Sequence, residues 1–140
     1  MIEKVLIDTG PLVALFSEDD RYRQRCTDAL PALTPPLYTC WPVITEAAWL
    51  LRTRPDTLQK LFASFNEGLF ALLPLDVTDL TAIAEIMKRY ESARLQLADA
   101  SLAYLADREG ITTVFTTDRR DFSIIRLKKN RMIKLIPDMT

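Results

Sequence analysis

Histidine is absent from this sequence of 140 residues, and cysteine occurs only at Cys26 and Cys40. A metal site here must therefore be built largely from oxygen ligands, because the two cysteines match no zinc-binding spacing. We expect both cysteines to be free thiols, as is usual in the cytoplasm. No apolar run approaches the ~20 residues of a membrane-spanning helix, and the first residues lack the features of a signal peptide. We therefore expect a cytoplasmic protein with no membrane association.

The chain also lacks an excess of charge of either sign, since 18 basic and 19 acidic residues give a formal net charge of −1. Binding of a nucleic acid must therefore depend on a local basic patch and on metal ions. Residues 119–134 are rich in arginine and lysine, and they form either such a patch or a solvated surface around a terminal strand. The length and the 49% hydrophobic content predict a single domain over residues 1–140.

Short apolar runs alternate with longer amphipathic segments along the chain. The runs are predicted strands, and they cover residues 4–8, 37–41, 69–75, 112–117 and 133–136. Pro74 places the end of the third strand near a sheet edge. The segments between the strands are predicted helices, and the helix from Val43 to Arg52 is apolar enough to be largely buried. This alternation predicts an α/β protein with a parallel sheet covered by helices on both faces.

Four acidic residues lie where such a fold could bring them together. Asp8 and Asp118 each follow a predicted strand, and Glu46 and Asp99 each lie early in a predicted helix. Taken one at a time, they are equally explained as solvated strand ends or as charges favoured by a helix dipole. If they converge at about 5 Å, each pair repels by roughly 3 kcal/mol at an effective dielectric near 20. Protons or a cation must then compensate, and carboxylate oxygens favour Mg²⁺ or Mn²⁺.

Other polar residues near these acids are candidates for supporting roles. The hydroxyls of Thr9 and Thr116 could orient a carboxylate or contact a phosphate, or they could be an ordinary loop cap and strand residue. Asp121 is a candidate further ligand or the cap of a turn. A metal-bound water beside these acids could attack a phosphodiester, and Arg119 and Arg120, which follow Asp118, are then candidates for contacts with the nucleic acid.

Four segments of the sequence resemble the acidic motifs of the PIN domain family, and most closely those of VapC-type toxins. These segments are residues 5–12 (VLIDTGPL), 44–48 (ITEAA), 97–103 (LADASLA) and 116–122 (TTDRRDF). The resemblance implies a three-layer α/β/α sandwich with a central, mostly parallel sheet of about five strands. It implies a Mg²⁺- or Mn²⁺-dependent endoribonuclease that binds the metal through Asp8, Glu46, Asp99 and Asp118, with Thr116 ahead of the last acid. It further implies a homodimer that a cognate antitoxin protein holds inactive.

Three other functions compete with the ribonuclease. A phosphatase with an aspartyl nucleophile usually has a second acid two residues after the first, where this chain has Gly10. A receiver-like signalling domain needs a lysine after a late strand, and residues 116–118 offer none. The third alternative is a PIN-like module that binds RNA or protein without catalysis, and the presence of all four acids argues against it.

Overall fold

The computed structural model describes residues 3–138, and among these residues five strands form one parallel sheet. The strands are β1 (Val5–Ile7), β2 (Leu37–Thr39), β3 (Phe70–Leu72), β4 (Thr113–Phe115) and β5 (Lys134–Ile136). Their order across the sheet is β3-β2-β1-β4-β5, and every neighbouring pair is parallel. The predicted parallel sheet of about five strands is confirmed, and β3, which precedes Pro74, is an edge strand as predicted.

Helices cover both faces of the sheet. They are α1 (Thr9–Phe16), α2 (Arg23–Ala29), α3 (Trp41–Leu50), α4 (Pro55–Asn66), α5 (Leu80–Arg89), α6 (Leu97–Glu109) and α7 (Arg119–Ser123). Every residue of β1 and β4 is buried. Since successive side chains of a strand point to opposite faces, burial of the whole strand requires a layer on each side. The predicted α/β architecture is therefore confirmed.

Helix α3 differs from its prediction, because only one of its faces is buried. Val43, Ile44 and Ala47 lie in the core, whereas the side chains of Trp49 and Leu50 are 62% and 51% exposed. The prediction of a largely buried helix was wrong, since the apolar residues extend around the helix beyond the face that packs. Within residues 3–138, no helix combines the length and apolar character needed to cross a membrane.

The strand order places a topological switch point between β1 and β4. The chain runs outward from β1 through β2 to β3, and then returns to the other side of β1 to form β4 and β5. Ligands of open α/β sheets bind at such a point, beyond the carboxyl ends of the strands. Ile7 is in register with Phe115, so the residues that follow these two strands emerge side by side.

Candidate active site

Asp8 lies at the carboxyl end of β1 and begins helix α1. Its side chain is 5% exposed, and its Oδ2 accepts a hydrogen bond of 2.8 Å from the hydroxyl of Thr116. Burial raises the pKa of Asp8 from 3.8 to about 6. Hydrogen bonds from the Thr9 backbone and from Thr116 oppose this change, and the negative charge of Glu46 adds to it. A buried carboxylate in this position favours a cationic partner.

The hydroxyl of Thr116 links the two strand ends. It donates to Asp8 and accepts a hydrogen bond of 2.9 Å from the backbone N–H of Asp118. Thr116 itself is fully buried, whereas the side chain of Asp118 is exposed. The pairing of β1 with β4 therefore places Asp118 beside Asp8 and fixes the backbone between them.

Asp99 approaches the same edge from the first turn of α6. Its Oδ2 accepts a hydrogen bond of 3.2 Å from the backbone N–H of Gln96, which is the capping contact of that helix. The residue is only 9% exposed. Burial, followed by the negative charge of Asp8, raises the pKa of Asp99 from 3.8 to about 7. Asp99 therefore caps the start of α6 and also feels the charge of Asp8.

The remaining acids lie at the more exposed side of this cluster. Burial raises the pKa of the half-buried Glu46, and the charges of Asp99 and Asp118 raise it further. Burial also raises the pKa of Asp121, and interaction with the neighbouring carboxyl group of Asp118 raises it further. The negative charges of neighbouring acids thus raise the pKa values of Asp8, Glu46 and Asp99. Nevertheless, across residues 3–138 no three Asp, Glu or Cys side chains are positioned closely enough to hold a metal ion.

The candidate supporting residues Thr9, Arg119 and Arg120 differ in burial and in hydrogen bonding. The hydroxyl of Thr9 is buried and has no hydrogen-bond partner among the described residues. Arg119 donates to the backbone oxygen of Pro137 at 2.7 Å, so its guanidinium is directed toward the C-terminal segment. Arg120 is exposed, and its charge lowers the pKa of the neighbouring Asp121. Arg120 is therefore better placed than Arg119 to meet a ligand at the acids.

The PIN domain family matches residues 5–128, a span that contains all four acidic segments. This chain belongs to the PIN domain family. The resemblance drawn from the acidic motifs is therefore confirmed at the level of the family.

Individual relatives agree with this assignment. Ribonuclease VapC26 of Mycobacterium tuberculosis is 27% identical to this PIN domain over 124 residues, which are 87% of this chain and 92% of the relative. The crystal structure of Mycobacterium tuberculosis VapC20, a Sarcin-Ricin loop cleaving toxin, has a TM-score of 0.76 at 16% identity, covering 84% of this chain and 92% of that one. A toxin–antitoxin complex from Klebsiella pneumoniae has a TM-score of 0.69 at 20% identity. The match covers 87% of this chain and 92% of that one. The structural matches confirm the PIN-like α/β/α fold.

A divalent cation fits the chemistry of this donor set. The donors are carboxylate oxygens, which Mg²⁺ and Mn²⁺ prefer. Among the described residues, neither Asp8 nor Asp99 has a basic hydrogen-bond partner, and burial together with the neighbouring negative charges raises the pKa of each. A cation would offset both the burial and the mutual repulsion. Because no three of the described acids are close enough to hold an ion, their side chains must move closer together when it binds.

Gly10 is a part of this site that the sequence did not reveal. A Cβ atom at position 10 would lie 2.3 Å from the Oγ1 of Thr117, which is closer than any real contact allows. A side chain at residue 10 would therefore force the Thr117 hydroxyl out of its present position, between the turn after β1 and the segment after β4. The Gly-Pro pair in the sequence indicates a turn, but nothing in it points to Thr117 as the neighbour.

Two exposed tryptophans also lie beside the acids. Trp41 and Trp49 are 60% and 62% exposed, and both line a groove whose wall includes Glu46. The prediction of a largely buried helix from Val43 concealed the exposure of Trp49, and Trp41, predicted as the end of the second strand, instead begins α3. A helical projection of α3, with the core face assigned to Val43, Ile44 and Ala47, would have placed both indoles outside the core.

Proposed function

We propose that this PIN domain is a divalent-metal-dependent endoribonuclease and the toxin of a toxin–antitoxin pair. The observation that carries the proposal is the burial of Asp8 and Asp99 beside further carboxylates at the switch point of the sheet. Such a cluster is electrostatically unfavourable unless protons or a cation neutralise it. The relatives support RNA as the substrate, since VapC26 is named a ribonuclease and VapC20 a toxin that cleaves the Sarcin-Ricin loop.

In the proposed reaction the four acids act together as metal ligands. We propose that Asp8, Glu46, Asp99 and Asp118 hold a Mg²⁺ or Mn²⁺ ion, with Asp8 and Asp99 giving up their protons when it binds. A bound divalent ion polarises a phosphoryl oxygen and lowers the pKa of water, which provides the nucleophile for hydrolysis.

The neighbouring residues position these acids. Thr116 fixes the orientation of the Asp8 carboxylate through its 2.8 Å hydrogen bond. Asp121, which interacts with the neighbouring Asp118, has a supporting role at the edge of the site. Thr9, whose buried hydroxyl lacks a partner among the described residues, is available to bind water or a phosphate oxygen.

The proposed partners follow from the same relatives and from the surface. The toxin–antitoxin complex from Klebsiella pneumoniae supports a small antitoxin protein as partner. A groove of about 440 Å³, lined by Trp41, Ile44, Phe62, Phe65 and Leu72, is almost entirely apolar and supports protein binding. A homodimer remains our prediction from the family resemblance. We also propose a cytoplasmic location, with which the two free, buried cysteines agree.

The test is cleavage of end-labelled RNA by the purified protein in Mn²⁺, with EDTA as the metal-free arm. Asp8→Asn should abolish cleavage without loss of the fold, since asparagine can still accept the hydrogen bond from Thr116. Glu18→Gln is the matched control, because it removes one exposed acid between α1 and α2. Equal cleavage by the Asp8→Asn variant and the wild type, or cleavage that persists in EDTA, would contradict the proposal.

The non-catalytic alternative keeps one specific observation in its favour. Within the described residues, no three acids are positioned to hold an ion as they stand. A PIN domain that binds RNA without cutting it would need no such ion. RNA that binds the wild-type protein but stays intact in Mn²⁺ would establish this alternative.

A further inference from the structure

Basic side chains are concentrated in one segment of this nearly neutral chain. Residues 122–137 contain no acidic residue and five basic ones, which are Arg126, Lys128, Lys129, Arg131 and Lys134. All of these except Arg131 are exposed. The rest of the chain therefore has an excess of acid. A polyanion that meets this protein is attracted to the segment and repelled by the carboxylates at the sheet edge.

The basic segment begins at the candidate active site, because it continues helix α7, which carries Asp121. The Nη1 of Arg126 donates a hydrogen bond of 3.0 Å to the backbone oxygen of Ser123, the last residue of α7. The backbone N–H of Arg126 donates to the hydroxyl of Tyr90 at 2.9 Å. The loop after α7 is therefore held against the end of α5, and the Arg126 side chain is directed back toward α7.

Basic side chains from three separate elements meet next to Tyr90. A cleft of about 280 Å³ is lined by Arg89 of α5, by Arg108 of α6 and by Lys128 of the loop after α7. Two acids, Glu85 and Asp107, also line it. Arg89 and Arg108 lie outside the basic run of the sequence, so the fold adds them to this surface.

Ion pairs decide which of these charges are available to a ligand. The Oδ1 of Asp107 accepts a hydrogen bond of 3.2 Å from the guanidinium of Arg131, which offsets its charge. Arg108 is paired with Glu109 at 2.8 Å. Across residues 3–138, four basic residues of this surface make no ion pair with a carboxylate, and they are Arg89, Arg126, Lys128 and Lys129.

We propose that the RNA backbone runs from the acids across α7 into this cleft, where Arg126, Arg89 and Lys128 bind its phosphates. These three residues are called the cationic row below. The inference rests on the proposed ribonuclease function, because it names the surface that holds the RNA beyond the cleaved bond. The acids repel those phosphates, and a divalent ion offsets only part of the repulsion. Affinity must then come from cations beside the site, and the row starts at the helix that carries Asp121.

The chemistry of this surface favours RNA over an acidic protein as the occupant. The core of a protein interface is depleted of charged residues, whereas interfaces with nucleic acid are more polar and much more positive. The exposed apolar residues of the segment, Ile124 and Met132, do not line the cleft. The almost entirely apolar groove at Trp41 and Phe62 offers a protein partner the more suitable surface.

The salt dependence of RNA binding tests the cationic row. Fluorescence anisotropy of a labelled single-stranded RNA would be measured in EDTA over a range of KCl concentrations, with a gel to show that the RNA stays intact. Each phosphate contact contributes about 0.7 to the slope of log K against log salt, or about 5-fold in affinity between 0.1 and 1 M. Arg89→Gln with Lys128→Gln should therefore reduce the slope by about 1.4 and weaken binding by about 25-fold near 0.1 M KCl.

Arg21→Gln with Lys60→Gln is the matched control for this double variant. It also removes one arginine and one lysine from exposed positions, which lie before α2 and in α4. Its slope and affinity should stay close to those of the wild type. In Mn²⁺, the double variant of the row should raise KM for RNA more than it lowers kcat, because neither side chain belongs to the acidic cluster. Urea unfolding checks that both proteins remain folded.

Equal slopes and affinities for the row variant and its control would overturn the inference. A row variant that keeps its affinity for RNA but no longer binds poly-glutamate would overturn it too, since the row would then serve an acidic protein. Failure of the proposed function looks different. RNA that binds with the expected change in slope but stays intact in Mn²⁺ would sustain the row and refute the ribonuclease. RNA that both variants cleave with the KM of the wild type would refute the row alone.

Discussion

Replacing Asp8 with asparagine should make the metal-free protein more stable while it abolishes the proposed activity. Burial raises the pKa of Asp8 from 3.8 to about 6, so the ionised carboxylate destabilises the fold at neutral pH. One pKa unit corresponds to about 1.4 kcal/mol, which gives an upper limit of about 3 kcal/mol. Asparagine carries no charge and can still accept the hydrogen bond from Thr116. Its amide N–H groups also need partners, so we expect a gain of about 1–3 kcal/mol.

The pH dependence of this gain follows from the direction of the change in pKa. Above about pH 6 the carboxyl group of Asp8 is ionised in the folded and the unfolded chain, and the wild type bears the full cost. As the pH falls below 6, the folded state takes up a proton while the unfolded state stays ionised down to about 3.8. The cost therefore shrinks on acidification, and the advantage of Asp8→Asn should disappear below pH 4.

Urea unfolding in EDTA measures this difference at about pH 7.5 and at a series of lower values. Glu18→Gln, which removes an exposed acid, should change the free energy of unfolding little at any of them. In Mn²⁺ the order should reverse, because an ion bound to the folded state stabilises the wild type alone. A less stable Asp8→Asn protein in EDTA at neutral pH, or a gain that does not shrink on acidification, would refute the reasoning.

Three further predictions concern the surroundings of Asp8. Thr116→Val removes the hydroxyl between the two strand ends, and cleavage assays should show a loss of about 10- to 100-fold that Thr116→Ser largely restores. Gly10→Ala introduces a close contact with the Thr117 hydroxyl, and urea unfolding should show a free energy of unfolding lower by about 1–3 kcal/mol. Adding Thr117→Ala should restore it, whereas no effect of Gly10→Ala alone would contradict the steric argument. The rise in Tm on adding Mn²⁺ should be smaller at about pH 5.5 than at about pH 8. Protons compete with the ion for Asp8 and Asp99, whose pKa values are about 6 and 7. An equal rise in Tm at the two pH values would contradict this competition.

The placement of Asp8 and Asp118 could be predicted because it depends on local pattern alone. An apolar run followed by an acid predicts a strand end, and parallel strands bring their carboxyl ends to one edge. Asp99 could be placed for a similar reason, since an acid in the first turn of a helix is favoured by the helix dipole. These three positions follow from periodicity and from the chain order of strands and helices.

Other parts of the site depend on contacts between distant segments, which periodicity does not encode. The approach of Gly10 to Thr117 arises from the packing of the β1–α1 turn against the segment after β4. The exposure of Trp49 depends on how α3 is rotated against α1 and α6, and an apolar composition alone suggested burial. Helix α7 is only five residues long and largely polar, so it gives no periodic signal at all.

A calorimetric titration with Mn²⁺ tests most directly whether the carboxylate cluster holds a divalent cation. At about pH 6.5 the wild type should bind Mn²⁺ in a saturable manner and release protons, since Asp8 and Asp99 are then partly protonated. Asp8→Asn should weaken or abolish that binding, while Glu18→Gln should leave it unchanged. Equal binding by the wild type and Asp8→Asn, or no saturable binding by either, would contradict the account.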